Sequence, residues 1–351
     1  MSESSSQFEK RKQDHIRIAL DPRSQAEGLS GLDKVQLIHE ALPDLNFKEV
    51  DPSTSFFSRG KQRPLSAPFF ISSMTAGHQK APEINARLAR LSSEKQILMG
   101  VGSQRRELKE PEARQEWRDL RQQAPQARLL GNLGIAQIIR TPVDQIEALM
   151  DSLEAEALFV HLNPLQECLQ PEGTPEFRGG YEAIESLVKK LSIPVIVKEV
   201  GCGFSQKTLQ RLWGLGVFAV DVSGLGGTHW GRVEGFRSEE QELLFQVAKT
   251  FENWGLSTVQ SLLNAKEISE NFPVWASGGV RNGLQAVKLL AMGADFVGIA
   301  QPWLGAALKN DKAVADLYDK LLLEIKIAMF CTGVQNMTDF KTKRIWKWHE
   351  H

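Results

Sequence analysis

Cysteine is scarce in this sequence: Cys168, Cys202 and Cys331 are the only three in 351 residues. An odd, scattered set without CxxC spacing offers neither a disulfide framework nor a zinc site, and reads as reduced thiols. Excess charge is also missing. The formal net charge is −1, so nothing points to nucleic acid or to an anionic membrane surface. No apolar run reaches the ~18 residues of a membrane span. The N-terminus is polar and lacks the apolar stretch of a secretory signal. The expectation is a cytoplasmic protein with no membrane and no nucleic-acid partner. No Ser/Gly- or Pro-rich linker divides the middle of the chain, which argues against two tethered domains.

What is present is a rhythm of short apolar runs alternating with amphipathic segments, the pattern of βαβ units on a parallel sheet. Eight runs read as strands: Pro68–Ser72, Ile97–Val101, Ala127–Leu130, Ala157–His161, Pro194–Lys198, Val217–Val222, Val274–Ser277 and Phe296–Ile299. Most lack polar alternation, as strands covered on both faces do. Helical patterns fall between them at Ile84–Lys95, Val143–Leu153, Glu182–Leu191, Gln206–Trp213 and Gly283–Met292, the last with Asn282 as its cap. Eight strands with intervening helices favour a closed (β/α)8 TIM barrel over an open sheet. The length exceeds the ~250 residues of a bare barrel and leaves room for extensions. The expected layout is an N-terminal arm with helical and loop character over 1–64, a barrel over 65–312, and a C-terminal helical extension over 313–351 packed on the barrel. Residues 1–10, polar and Ser-rich, are expected to be disordered without ligand. Ser223–Thr250 is too long for a simple turn and is expected to form a functional loop or lid.

In such a barrel, chemistry sits at the carboxyl ends of the strands. Read in order, those ends carry Ser72-Ser73-Met74-Thr75, Gly102-Ser103-Gln104-Arg105, Gly131-Asn132, His161-Leu162-Asn163 with Gln166-Glu167, Lys198-Glu199, Asp221-Val222-Ser223 with Gly226-Gly227-Thr228, Ser277-Gly278-Gly279-Val280-Arg281, and Ala300-Gln301. A single Ser or Asn there could simply cap a helix or close a turn. Nearly every run, however, delivers a hydrogen-bonding side chain at the same end.

Ser277–Arg281 follows a strand and opens a helix, as a phosphate cradle does: glycines admit the anion and amides point at it. A tight βα turn is the alternative. Lys198 closes an apolar strand and needs a negative partner, either a bound anionic cofactor or a carboxylate such as Glu199. Glu167 suits Mg²⁺ bound with a diphosphate, or is a solvated loop charge. His161 is a site residue or a core histidine. Arg11-Lys12, with His15, is either a solvated tail or an arm that closes over an anionic substrate.

Taken together, these strings resemble the type 2 isopentenyl-diphosphate isomerases. The resemblance runs in the family's order from Arg11-Lys12-Gln13-Asp14-His15-Ile16, through Ser72-Ser73-Met74-Thr75, Gly102-Ser103-Gln104-Arg105, Gly131-Asn132-Leu133-Gly134, His161-Leu162-Asn163-Pro164-Leu165-Gln166-Glu167 and Val197-Lys198-Glu199-Val200-Gly201, to Asp221-Val222-Ser223-Gly224, Gly227-Thr228 and Ser277-Gly278-Gly279-Val280-Arg281. Gly-Gly-Val-Arg is common to several FMN barrels. The Arg-Lys arm, Gly-Ser-Gln-Arg and His-Leu-Asn-x-x-Gln-Glu together are specific. One departure is Ala76, where the family often has a second glycine before Gly77.

The resemblance implies an isomerase that interconverts isopentenyl and dimethylallyl diphosphate. It implies reduced FMN held by Ser73, Met74, Thr75, Ser103, Asn132, Lys198, Ser223, Thr228, Gly279, Val280, Arg281, Ala300 and Gln301. The substrate diphosphate would meet Arg11, Lys12, Ser103, Gln104 and Arg105. His161, Asn163 and Gln166 would line the substrate as the catalytic set, and Glu167 would ligate Mg²⁺. NADPH or NADH would reduce the flavin, and a homotetramer or homo-octamer is expected. A cationic transition state on an unactivated alkene calls for negative charge in a dry pocket. The expected acid–base centre is flavin N5, with Gln166 orienting or relaying the proton.

Three rivals make different demands. A 2-hydroxy-acid oxidase needs a His-Gly-Gly-Arg string after a late strand, whereas the sixth run here leads into Gly226-Gly227-Thr228-His229-Trp230-Gly231-Arg232. A nucleotide dehydrogenase needs a Gly-Ser-x-Cys loop, which none of the cysteines supplies. A non-catalytic flavin-binding protein has no need of Arg11-Lys12 and Gln166-Glu167 together.

Overall fold

Runs such as Phe69-Phe70-Ile71 and Val195-Ile196-Val197 are apolar on both faces, so they are stable only when both faces are covered. A closed barrel covers them. The computed structural model of the protein describes residues 5–74, 80–239 and 241–349. Its eight parallel strands are Phe69–Ile71, Leu98–Gly100, Arg128–Gly134, Ala157–Leu162, Val195–Glu199, Ala219–Asp221, Val274–Ala276 and Phe296–Ile299. The ring closes where Val297, Gly298 and Ile299 pair with Phe69, Phe70 and Ile71. All eight expected runs form barrel strands. The third extends past Leu130, because Gly131–Gly134 continue the ladder with Leu158–His161.

The barrel interior is a packed core of Phe70, Leu98, Leu130, Phe159, Ile196 and Trp275. Its amino-terminal end is plugged by a hairpin, Thr54–Ser58 with Lys61–Leu65. Phe56, 2% exposed, meets Phe218, Trp275 and Phe296 edge-on. Burying such a ring contributes roughly 1.5–3 kcal/mol. A second pairing, Val35–Leu37 antiparallel to Trp346–Trp348, joins the segments before and after the barrel. The helical and loop character expected between the arm and the barrel gives way to short 3-10 turns and strand pairs. The partners of those strands lie too far along the chain, or are too short, to leave a local period.

The helices fall where expected: Ala81–Lys95, Val143–Leu153, Gly180–Lys190, Gln206–Gly214 and Gly283–Ala291. Asn282 caps the last by accepting the Gln285 N–H at 2.9 Å. The long helix Asp311–Phe330 buries Tyr318, Leu321, Ile325 and Met329. It packs against Gly283, where an added Cβ would lie 2.6 Å from the Leu321 carbonyl oxygen.

One expectation about the extensions needs correction. Residues 1–10 were expected to be disordered; the first four lie outside the described residues, and from Ser5 a helix runs to Ala19. It is held because Arg11, His15 and Ile18 are buried in the molecule. The Ser223–Thr250 stretch, expected as a functional loop or lid, brings Trp230 to the cavity. It contains the helices Trp230–Gly235 and Leu243–Thr250, the first of which packs near the arm helix.

Candidate functional site

Strand polarity puts eight carboxyl ends at one mouth, and a cavity opens there with about 1320 Å³ of empty space including its open entrance. Two glycine turns interlock on its phosphate side. Gly278 and Gly279 have φ of 104° and 80°. A Cβ on Gly279 would lie 2.4 Å from Gly226 O, and one on Gly227 would lie 2.6 Å from Gly279 N. Only glycine tolerates both that conformation and that approach. Beside them Arg281 faces the cavity. Burial lowers the pKa of its guanidinium, and the charge of Glu27 only partly opposes this. Among the described residues no carboxylate reaches Arg281 at ion-pair distance, so its charge remains available to an anion.

The floor is a buried polar cluster. The Lys198 ammonium donates to Asp221 and, at 2.9 Å, to Ser277 Oγ, which in turn donates to Asp221 Oδ1 at 2.7 Å. Lys198 and Asp221 face each other across adjacent strands, so the carboxylate that Lys198 needs is Asp221. Glu199 instead accepts the backbone N–H groups of Val200, Gly201, Cys202 and Gly203.

Asn132 fixes the state of His161. Its Nδ2 donates to the Val101 carbonyl at 3.1 Å, which turns Oδ1 toward His161 Nδ1 at 2.9 Å. Nδ1 therefore carries the proton, and Nε2 keeps its lone pair. Burial, then the charges of Lys12 and Lys198, lower the His161 pKa to about 4. The ring is neutral at physiological pH.

Opposite the cradle, the first turn after the fourth strand forms a chain of polar contacts. Asn163 Nδ2 donates to Gln166 Oε1 at 3.0 Å and to Glu167 Oε1 at 2.9 Å. Gln166 Nε2 donates to Glu234 Oε1 at 3.0 Å. Glu167 also accepts the Thr174 N–H. Glu234 is fully buried, and His15 Nε2 of the arm helix lies 2.9 Å from the same oxygen. Arg237 donates to its other oxygen at 2.6 Å. Burial pushes the Glu234 pKa up, but the bond from His15 and the charges of His15 and Arg237 outweigh it and hold it at about 2. Burial is also the largest influence on His15 and lowers its pKa, while the bond to Glu234 and its charge oppose that shift. Gln170 is assigned with its nitrogen 3.2 Å from Glu234 Oε1 and its oxygen 2.7 Å from Arg11 Nη1, the orientation that satisfies both.

The cavity lining contains Arg11, Lys12, Ser73, Met74, Ser103, Arg105, Asn132, His161, Asn163, Gln166, Glu167, Lys198, Ser223, Thr228, Gly279, Val280, Arg281, Ala300 and Gln301. Thr75 lies outside the described residues. Gln104 is a correction: it is fully buried behind the mouth, and its side chain accepts the Asn132 N–H at 3.2 Å. Gln104 immediately precedes the helix Arg105–Lys109, and its bond to the Asn132 N–H holds it inward while Ser103 and Arg105 reach the cavity. Glu234, Arg237, Gln170 and Trp230 were not singled out in the sequence. The unusual length of the Ser223–Thr250 stretch was the one signal for three of them.

The residues fit a flavin mononucleotide. Ser72 and Ser73 hydroxyls are buried and find no hydrogen-bond partner among the described residues. Buried polar atoms without partners are costly and mark where a ligand completes the site. With Lys198 at the floor and Arg281 beside the glycine turns, fold and site define an FMN-dependent barrel. A family model described as FMN-dependent dehydrogenase matches residues 113–347. Solved structures that share the fold include a mutant mandelate oxidase carrying a monooxide FMN adduct, with a TM-score of 0.62 at 15% identity over 98% of this chain and 96% of that one. They also include a mutant flavocytochrome b2 with benzoylformate, with a TM-score of 0.68 at 17% identity over 98% of this chain and 84% of that one. An isopentenyl-diphosphate delta-isomerase of Bdellovibrio bacteriovorus is 64% identical over 98% of this chain and 99% of its own length. One of Legionella pneumophila strain Paris is 53% identical over 96% and 98%. The chain belongs to the isopentenyl-diphosphate delta-isomerase family.

Proposed function

We infer that the protein is an isomerase that interconverts isopentenyl diphosphate and dimethylallyl diphosphate with FMN bound in the barrel mouth. The observation that carries this reading is one cavity that joins an anion cradle at Gly278–Arg281 to Arg11, Lys12 and the Asn163–Gln166–Glu167 turn. The reaction moves a double bond: C4 gains a proton, C2 loses one, and no net electrons are transferred. Reduced FMN, when bound, supplies an electron-rich face and an acid–base centre beside the alkene.

The chain's own residues do the rest. Arg11, Lys12, Ser103 and Arg105 bind the diphosphate, and Glu167 shares a Mg²⁺ with it, since Mg²⁺ needs few protein ligands beside a diphosphate. Ser73, Met74, Thr75, Asn132, Lys198, Ser223, Thr228, Gly279, Val280, Ala300 and Gln301 hold the flavin, with Arg281 at its phosphate. Asn163 and Glu234 clamp the Gln166 amide from both sides. A clamped amide holds a proton donor in line at little entropic cost. Neutral His161 offers Nε2 as an acceptor. The arm helix excludes water by lying across the mouth with Arg11 and His15 buried. NADPH or NADH reduces the flavin, and the protein works in the cytoplasm as a homotetramer or homo-octamer. Among the described residues no helix is long and apolar enough to cross a membrane.

Hydroxy-acid oxidation is disfavoured by His229, the histidine that follows the sixth strand. It is fully buried, accepts the Arg232 N–H at 3.2 Å, donates to the Trp254 carbonyl at 3.0 Å, and does not line the cavity. The direct test is an anaerobic assay with isopentenyl diphosphate, FMN, NADPH and Mg²⁺, read by product analysis. Dimethylallyl diphosphate is expected. Oxidation of lactate or glycolate instead, or a yellow protein without turnover, would overturn the reading.

A further inference from the structure

Gln25 stands where three parts of the mouth meet. The segment around it runs antiparallel to Gly227–His229: Gln25 bridges Thr228, Ala26 N–H donates to Gly227 O at 2.7 Å, and His229 N–H donates to Ser24 O at 2.9 Å. Gln25 is 9% exposed. Its Nε2 donates to Ala19 O at 2.8 Å and reaches Thr228 Oγ1 at 3.2 Å. Its Oε1 accepts from Arg281 Nη2. One amide therefore joins the last residue of the arm helix, the loop after the sixth strand and the guanidinium after the seventh.

The chemistry of each contact is specific. Ala19 O belongs to the last turn of its helix, where carbonyls lack intrahelical partners. Arg281 needs an acceptor to hold its orientation, and a neutral amide provides one without cancelling the charge. A carboxylate in the same place would compete with a bound anion.

We propose that Gln25 is a positioning residue that aims Arg281 at the flavin phosphate and ties that contact to the arm helix carrying Arg11 and Lys12. This rests on reading Ser277–Arg281 as the FMN phosphate cradle. Thr228, held by the same amide, is the cradle's neighbour from the sixth strand. FMN bound in the cradle then favours the docked arm, and a docked arm favours FMN, because linkage is reciprocal.

Flavin-free full-length protein is titrated with FMN and with riboflavin, which shares the ring but lacks the phosphate, following flavin fluorescence. The wild type is expected to prefer FMN. Gln25→Met, similar in length but without polar atoms, should lose about tenfold in FMN affinity, as when a charge-assisted hydrogen bond loses alignment. Its riboflavin affinity should be unchanged. In an Arg281→Met background, Gln25→Met should have no further effect on FMN. Gln25→Glu should weaken FMN more than Gln25→Met does, again sparing riboflavin. In the wild type, FMN should slow tryptic cleavage at Arg11 and Lys12 more than riboflavin does, and in Gln25→Met the two flavins should protect alike. Equal loss of FMN and riboflavin affinity, or an undiminished effect without Arg281, would reduce Gln25 to a structural contact and overturn the inference. If the wild type itself binds riboflavin as tightly as FMN, the cradle reading fails first and takes the inference with it.

Discussion

Gln166 Nε2 lies 3.0 Å from Glu234 Oε1, joining the turn after the fourth strand to the helix after the sixth. The two residues are 68 apart in sequence, and Glu234 is fully buried. A side chain facing the cavity is thus held by a carboxylate that substrate cannot reach directly. His15 on the arm helix shares the same oxygen, so closure of the arm and orientation of the amide depend on one group.

Gln166→Asn keeps the amide but withdraws it by one methylene, and a misplacement of about 1 Å can cost ~10²-fold in rate. A large fall in kcat is expected, with FMN content and KM nearly unchanged. Deuterium uptake from D₂O into substrate should slow in parallel. A loss of substrate affinity alone would make Gln166 a binding contact.

Lys198→Ala is the obvious test of a cation near the flavin, but the structure complicates it. The change strands Asp221, 0% exposed, and breaking a buried pair costs on the order of 3–5 kcal/mol. The paired variant Lys198→Met/Asp221→Asn should recover most of that stability in a thermal melt. It should still lower the flavin reduction potential, because of the two charges removed only that of Lys198 faces the cavity. A wild-type potential in the paired variant would show that Lys198 does not stabilise the reduced flavin.

Glu167→Gln removes a carboxylate that faces the cavity yet touches none of the residues proposed to hold the flavin. The expected result is a higher Mg²⁺ requirement in an activity titration, at least several-fold, with FMN still bound. An unchanged Mg²⁺ curve would remove Glu167 from the metal site.

The neutral state of His161 has a consequence for acid stability. Its pKa is about 4 in the folded protein against 6.5 for the ordinary ring. Between those values the unfolded chain binds the extra proton, so stability falls as pH drops from about 6.5 to 4. At 1.36 kcal/mol per unit, the loss is on the order of 3 kcal/mol. Denaturant titrations at pH 7 and pH 4.5 should show a smaller acid loss in His161→Gln than in the wild type. Equal losses would mean that His161 is protonated in the folded state.

The barrel was legible because most of its strands are apolar runs without polar alternation, and that composition survives without knowledge of partners. Phe69-Phe70-Ile71 and Val195-Ile196-Val197 carry the signal themselves. The hairpin around Phe56 was not legible, since its burial depends on Trp275 and Phe296, far along the chain. The same holds for the site. The turn from Asn163 to Glu167 could be read as a string, because its residues sit on one turn. Glu234 and Gln25 could not, because their roles are defined by His15, Gln166 and Arg281. No local pattern announces a polar partner that lies 219 or 256 residues away, as His15 does from Glu234 and Arg281 from Gln25. Gln104 shows the opposite failure. It stands inside a readable string, but its bond to the Asn132 backbone, 28 residues on, holds it away from the cavity.

The central claim is isomerisation without net electron transfer, and it is tested most directly by counting turnovers against reducing equivalents. Enzyme with bound FMN is reduced once, anaerobically, with one equivalent of dithionite, then given isopentenyl diphosphate and Mg²⁺ while the flavin spectrum is followed. Many molecules of dimethylallyl diphosphate per flavin are expected, with the spectrum still that of reduced flavin at the end and with no turnover by the oxidised enzyme. Product limited to one per reducing equivalent, or flavin left oxidised by turnover, would contradict it.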